Sequence, residues 1–263
     1  SSKSFLLVKS GRINLNTPLT LTAPTYIWLA FTVFLPLSAM FFFSFLTDAP
    51  FGNKEVFISL ENYQAIWDKT FYQLLLFKSF RLGLEVTVLC FLIGFPCALI
   101  LAKHVKGYWR EAIFVLIILP FWSNALVRIF SWTMVLRGNG VIEMTLNWIS
   151  PGFGDFSLMF TYQAILIGLV HSYLPYMILT CYVSIQSIDD SIIEAARVLG
   201  ASRIMILMRL IVPLSLPGIA AGSVLIFIPV VGSFMEPRIL GGREGTFIGT
   251  IIEDQFTRVF NWP

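Results

Sequence analysis

Few residues in this chain can do chemistry, and the ones to weigh first are ionisable groups inside apolar stretches. Such groups are costly in an apolar surrounding and are functional candidates by default. Glu85 lies 18 residues before Lys103, and Arg128 lies 18 residues after Arg110. At a helical rise of about 1.5 Å per residue, both fall roughly 27 Å from one boundary, so the two could pair. A carboxylate and guanidinium at equal depth could hand a cation along by exchanging partners, or simply form a structural ion pair. Trp122 and Asn124 follow the Pro120 bend, and Tyr173 and Tyr176 flank Pro175. Aromatic faces attract ammonium groups where water is excluded, and the same rings also serve plain packing. His171 could act as a base toward Ser223 or Ser233. Neither serine sits in Gly-x-Ser-x-Gly, however, and no acid lies near His171 in sequence to orient it. An intramembrane hydrolase is thus a distant reading, and a helix-packing hydrogen bond accounts better for His171.

Other chemistries find less support. No Gly-x-x-x-x-Gly-Lys-Ser/Thr run cradles a phosphate, so any ATP must be hydrolysed elsewhere. Cys90, Cys97 and Cys181 all lie in apolar stretches, and the first two, two helical turns apart, are roughly 10 Å from each other, too far to bridge. Two scattered histidines add no metal cluster. Lys and Arg are dispersed, with a net charge of +3, which argues against nucleic acid as a partner.

The elements that must hold these residues follow from composition. In 263 residues, 57% are hydrophobic and 13% charged, and the mean hydropathy is +0.80. A soluble domain carries about 25% charged residues. The expectation is an all-α integral membrane protein, a polytopic helical bundle embedded in the lipid bilayer. Five stretches approach the 20 or so apolar residues that a span needs: 24–46, 79–102, 112–136, 161–185 and 214–235. The segment 1–23 precedes them, without the apolar core of a signal peptide, and 24–263 forms the membrane domain. The absent initiator Met suggests a trimmed N-terminus. Residues 247–260 are too charged to span and are expected as an interfacial or re-entrant helix.

Charge bias sets the orientation. With the N-terminus inside, the inner segments 1–23, 103–111 and 186–213 hold nine basic residues against four acids. The outer segments then hold six basic residues against ten acids. Excess Lys and Arg mark the cytoplasmic side, so the N-terminus is predicted to be cytoplasmic. Each span carries a proline (Pro36, Pro96, Pro120, Pro175, and both Pro217 and Pro229), which frees a backbone carbonyl and permits a bend. Bent helices suit a transporter or a passive channel, although proline is common in membrane helices generally.

The most informative stretch is the inner loop 186–213. Ser191 and Glu194 have the spacing of a capping box, so a helix is expected to start at Ser191. Gly200 breaks it, Ser202 can cap a second short helix, and Pro213 is expected to end that one. Ala195 and Ala196 keep one face thin enough for another protein to approach.

Glu194-Ala195-Ala196, then Gly200, then Leu210-Ile211-Val212-Pro213 resembles the EAA loop of ABC importer permeases. The family pattern is Glu-Ala-Ala, three residues, Gly, nine residues, then Ile-x-Leu-Pro; the departures are Leu210 and Val212. Leu119-Pro120-Phe121-Trp122-Ser123-Asn124-Ala125-Leu126-Val127-Arg128 is similar to a signature of spermidine/putrescine permeases, and so is Leu240-Gly241-Gly242 with Gln255-Phe256 and Asn261-Trp262-Pro263. The resemblance implies a non-enzymatic transport subunit of the bacterial inner membrane, moving a polyamine, with import of an opine or amino-acid-like solute as the alternative. It implies a second permease, two cytoplasmic ATPase subunits that carry ATP and magnesium, and an external solute-binding protein. Glu194, Ala195, Ala196, Gly200 and Pro213 would form the ATPase-coupling loop. A sixth span beyond Pro263 is also implied. The expected translocation path comprises Glu85, Trp122, Asn124, Arg128, Tyr173 and Tyr176, and no cofactor or metal is expected on this chain.

Overall fold

The computed structural model describes residues 16–47, 57–150 and 157–259. The chain divides into two units, residues 1–65 with 260–263 and residues 66–259.

In the first unit α1 (Asn16–Phe43) includes an apolar span from Thr22 with none of its window buried. A helix apolar on every face is one that lipid or another protein surrounds. Beyond it Leu46 makes an isolated antiparallel bridge to Ile58. The Asn62 amide donates to the Ser44 and Leu46 carbonyls at 3.2 and 2.9 Å, closing the loop that leads into α2 (Glu61–Asp68).

The second unit is built on α3 (Thr70–Lys103), a continuous helix of 34 residues. Its buried side runs Leu75, Ser79, Leu82, Val86, Cys90, Gly94, Ala98 and Leu101, a three- and four-residue spacing that makes one stripe. This helix starts nine residues before the expected 79–102. Next come α4 (Tyr108–Trp122), α5 (Ala125–Leu136) and α6 (Val141–Ile149). The expected single span 112–136 is therefore broken: Ser123 and Asn124 separate two helices, and the chain bends by 97° there. Averaged hydropathy across the break concealed it, although Ser123 and Asn124 are polar.

After α7 (Tyr162–Gln186) the loop carries α8 (Asp190–Val198) and α9 (Arg203–Ile206). A π turn at Leu207–Ile211 then leads into α10 (Val212–Leu214) and α11 (Leu216–Val231). Pro213 does not end the second short helix as expected. The wide π turn makes room for its ring, and the 63° bend comes at buried Ser215, whose hydroxyl donates to Ile211 O and Val212 O. Pro217 falls in the first turn of α11, where its missing N–H costs nothing. Last are α12 (Met235–Gly241), α13 (Ile248–Asp254) and a π turn at Gln255–Val259.

Helices α3, α7 and α11 form the core of this unit, with Cys90, Ile165, Leu169, Met177, Cys181, Ile185 and Ile226 fully buried. Lipid removes most of the hydrophobic gain from burying Leu against Leu, so close van der Waals packing through small residues must hold helices together. Gly218 and Gly222 provide this on α11. A Cβ on Gly218 would meet Ser184 Cβ and the Thr180 carbonyl at 2.5 Å; one on Gly222 would strike the Thr180 hydroxyl and Met177. Replacing Gly218 with Leu is expected to push α11 off α7 and cost about 1–3 kcal/mol. A fall of several degrees in the melting temperature of the purified protein in detergent would register it; an unchanged melting temperature would deny the close approach.

Candidate functional site

The loop between α7 and α11 is shaped by its own backbone. Asp189, not Ser191, caps α8: its carboxylate accepts from the Ser191 N–H at 2.9 Å. The expected capping box from Ser191 to Glu194 is displaced because the aspartate two residues earlier reaches the same free donors. At the other end Gly200 sits at φ +82°, with Gly200 N–H donating to Arg197 O and Ala201 N–H to Ala196 O at 2.9 and 3.0 Å. This is the left-handed termination that releases a helix into a new direction. Ser202 then caps α9 by accepting from Met205 N–H at 3.2 Å.

Two apolar residues crown the turn. Val198 is 87% and Leu199 86% exposed, with Ile204 beside them on α9 also exposed. Ile193 faces the other way into the core, and Ala196 is partly buried against it. Glu194 and Ala195 lie on the exposed side.

Lys103 anchors the loop's beginning, which sequence reasoning missed. Its ammonium donates to the Ile188 carbonyl at 2.6 Å and to Asp190 Oδ1 at 2.7 Å. That interaction, hydrogen bond first and charge second, holds the Asp190 carboxyl below its ordinary range. The Ser191 amide does the same for Asp189. For both, the stabilisation is complete above the ordinary aspartate value and is lost only as pH falls through the lowered one.

The expected pair of Glu85 and Arg128 does not form. Glu85 accepts from Arg81 Nε at 2.7 Å, one turn away, and from the Tyr162 hydroxyl at 2.6 Å. Arg128 Nη1 donates to the Pro120 carbonyl at 3.0 Å. The equal-depth argument assumed two straight helices, and the break before α5 removes that premise. At the break, Asn124 caps α5 by accepting from Leu126 N–H at 2.8 Å, and the Ser123 hydroxyl donates to Pro120 O at 2.8 Å. Phe121 packs edge-on against Tyr176 at 4.6 Å between ring centres, and Tyr176 stands 6.0 Å from Tyr173. Trp122 is apart from this cluster, 89% exposed. His171 makes a ring contact with Trp132, edge to face at 5.4 Å, in place of the expected hydrogen bond. Ser223 donates back to Ile219 O, and Ser233 to Glu236. Neither serine is arranged as a nucleophile.

A second polar cluster was also missed: Arg238 on α12 forms ion pairs with Glu253 and Asp254 on α13, and Asp254 also takes Arg258 at 3.1 Å. The i,i+4 spacing signals the Asp254–Arg258 pair, but nothing in the spacing signals the contacts of Arg238.

Residues 94–262 match the family described as binding-protein-dependent transport system inner membrane component. The chain is 36% identical over 236 residues to the spermidine/putrescine transport system permease protein PotB of Escherichia coli (strain K12), covering 90% of this chain and 85% of that protein. The PotB of Haemophilus influenzae is 34% identical over 237 residues, covering 90% and 82%. Among solved structures, a bacterial ABC transporter involved in import of the acidic polysaccharide alginate superposes with a TM-score of 0.70 over 93% of this chain and 85% of that one, at 18% identity, a likeness of fold. On these grounds the chain belongs to the binding-protein-dependent transport system inner membrane component family and is a multi-pass inner-membrane permease subunit of an ABC importer, a transport subunit and not an enzyme.

Proposed function

We infer that this permease carries polyamines of the putrescine and spermidine type into the cytoplasm. The observation that carries the reading is its likeness to the spermidine/putrescine permeases, which extends over most of the chain. Its complex comprises a second, similar permease, two cytoplasmic ATPase subunits that hold ATP and magnesium, and an external solute-binding protein. In this reading the N-terminus is cytoplasmic. Lys103 and Asp190 bring the segments 103–111 and 186–213 to one end of the bundle, and both segments belong to the basic, inner set.

Glu194, Ala195, Ala196 and Gly200 belong to the surface that docks on the ATPase, with Val198 and Leu199 as its apolar crown; Pro213 lies where the loop rejoins the membrane. Closing of the ATPases on ATP would push this surface and tip the bundle between outward- and inward-facing states. Along the path, Glu85 is the carboxylate available to a protonated amine, and Tyr173, Tyr176 and Trp122 offer ring faces. Asn124 and Arg128 contribute by holding the bend beside those rings.

Three expectations test the parts separately. Lys69 and Lys106 are both exposed, so an impermeant amine reagent applied to intact cells should label Lys69 and spare Lys106; the opposite result overturns the orientation. At Gly200 the space for a side chain is open and only the positive φ is demanding. Gly200→Val should therefore cost about 1–2 kcal/mol at the turn and abolish transport, while Gly200→Asn, which tolerates left-handed backbone, keeps most of it. Equal loss in both variants would show that bulk matters and the turn does not. For the substrate, complex reconstituted with its binding protein should hydrolyse ATP faster when putrescine or spermidine is added, and Glu85→Gln should lower uptake several-fold. No response to either amine, with a response to an anionic opine, would refute the polyamine reading and leave the family untouched.

A further inference from the structure

Lys103 occupies an unusual junction. It is the last residue of α3, where a cation complements the free carbonyls of the helix end. Its side chain is only 11% exposed, yet its head group reaches two acceptors on another part of the chain. Ile188 stands just after the end of α7, and Asp190 opens α8. One ammonium thus grips both sides of the hinge from which the exposed loop departs. Apart from this grip, α8 buries only Ile193. Its attachment to the bundle rests on that side chain, on partly buried Ala196 and on the lysine.

The far end of α3 is tied in the same manner. Lys78 donates to the Glu244 carbonyl at 2.8 Å and stands over the Phe247 ring at 4.5 Å. The Ser79 hydroxyl accepts from the Ile248 N–H at 3.0 Å. Between Lys78 and Lys103 the helix advances roughly 37 Å, longer than a hydrocarbon core of about 30 Å. Both ammonium groups therefore stand near opposite faces of the membrane. A single unbroken helix joins the segment 244–248 on one side to the hinge of the loop on the other.

We propose that Lys103 is the positioning residue that makes the ATPase-docking loop and α3 move as one body, so that a displacement of α3, whose outer part is tied to the segment 244–248, reaches the ATPases. This rests on the loop being the docking surface, as read above. The ammonium suits the role because its three donors can hold a carbonyl and a carboxylate together.

The test uses the whole complex in proteoliposomes with its own solute-binding protein, and reads the factor by which that protein stimulates ATP hydrolysis. Lys103→Met keeps the buried stem and removes every donor. It should retain the ATPase subunits on co-purification and keep basal hydrolysis, while stimulation falls at least five-fold. Lys103→Arg restores the donors and should recover at least half of the wild-type factor. Stimulation in Lys103→Met within two-fold of wild type would overturn the proposal. So would loss of the ATPase subunits from both variants, which would mean that Lys103 only folds the loop. Because the readout is stimulation and not uptake, a wrong cargo leaves it interpretable: wild-type stimulation that appears with a solute other than a polyamine would refute the substrate alone. Undiminished ATPase retention when Val198 and Leu199 are both replaced by charged aspartate would refute the docking surface, and the proposal that rests on it.

Discussion

Inside a bilayer every backbone N–H and C=O must find its partner within the protein, because no water is present to take the place of a missing one. The architecture follows from how this constraint is met. Where the chain is uninterrupted helix, as in α3 and α7, the helix meets the requirement except at the carbonyls that Pro96 and Pro175 leave without an N–H. Where it bends, side chains must step in. At the break between α4 and α5, Pro120 O receives the Ser123 hydroxyl and one nitrogen of Arg128, while Asn124 takes the Leu126 N–H. At the bend before α11, the Ser215 hydroxyl attends to two carbonyls. A charged residue in an apolar span thus has a structural role: Arg128 adds a further donor to the Pro120 carbonyl at the bend, beside the Ser123 hydroxyl and N–H.

The same constraint divides rigid parts from adjustable ones. Because α3, α7 and α11 meet through Gly94, Gly218 and Gly222, their backbones approach closely and leave little space for sliding. The bent pair α4 and α5 flanks this core and sets Phe121 against Tyr176 of α7, while the bend between α10 and α11 lies where the loop 186–213 returns to the core. A permease needs this contrast, since a uniformly stiff bundle could not alternate and a uniformly soft one could not transmit a stroke.

Legibility in the sequence followed the range of the interactions involved. The fourth span was readable to within a residue at each end, since Thr161 is a local cap and the apolar run after it has no interruption. The π/α passage around Pro213 was not, because whether a proline ends a helix or is absorbed by a wide turn depends on the packing of Ser215 and Ile211. Residues 112–136 look like one span because hydropathy averages over the break, although Pro120 followed by Ser123 and Asn124 contains the chemistry of a stop and a cap. Glu85 was recognisable as a costly charge, but its true partners were not. Arg81 was one turn away and overlooked, and Tyr162 is 77 residues distant. Lys103 and Asp190, 87 residues apart, meet only because α7 runs parallel to α3 and ends beside it. In the loop proposed to dock on the ATPase, the turn at Gly200 was legible; the shift of the cap to Asp189 was not, since Asp189 and Ser191 are both good caps and only the hinge geometry selects between them.

These placements bear on how a carboxylate can serve a passing cation. Glu85 is already neutralised by Arg81 and held by the Tyr162 hydroxyl, so it presents no uncompensated charge to the bundle. On the proposed polyamine path, an arriving ammonium would displace a guanidinium whose side chain is largely exposed and tethered only one turn away. Exchange of one cation for another keeps the carboxylate paired throughout, avoiding the large penalty of a bare charge in an apolar surrounding. It also keeps binding weak, because each hydrogen bond the amine makes to Glu85 takes the place of one that Arg81 had made. Weak, replaceable binding is what passage requires, since a carboxylate that held a polyamine in full would become the end of the path and not a station along it.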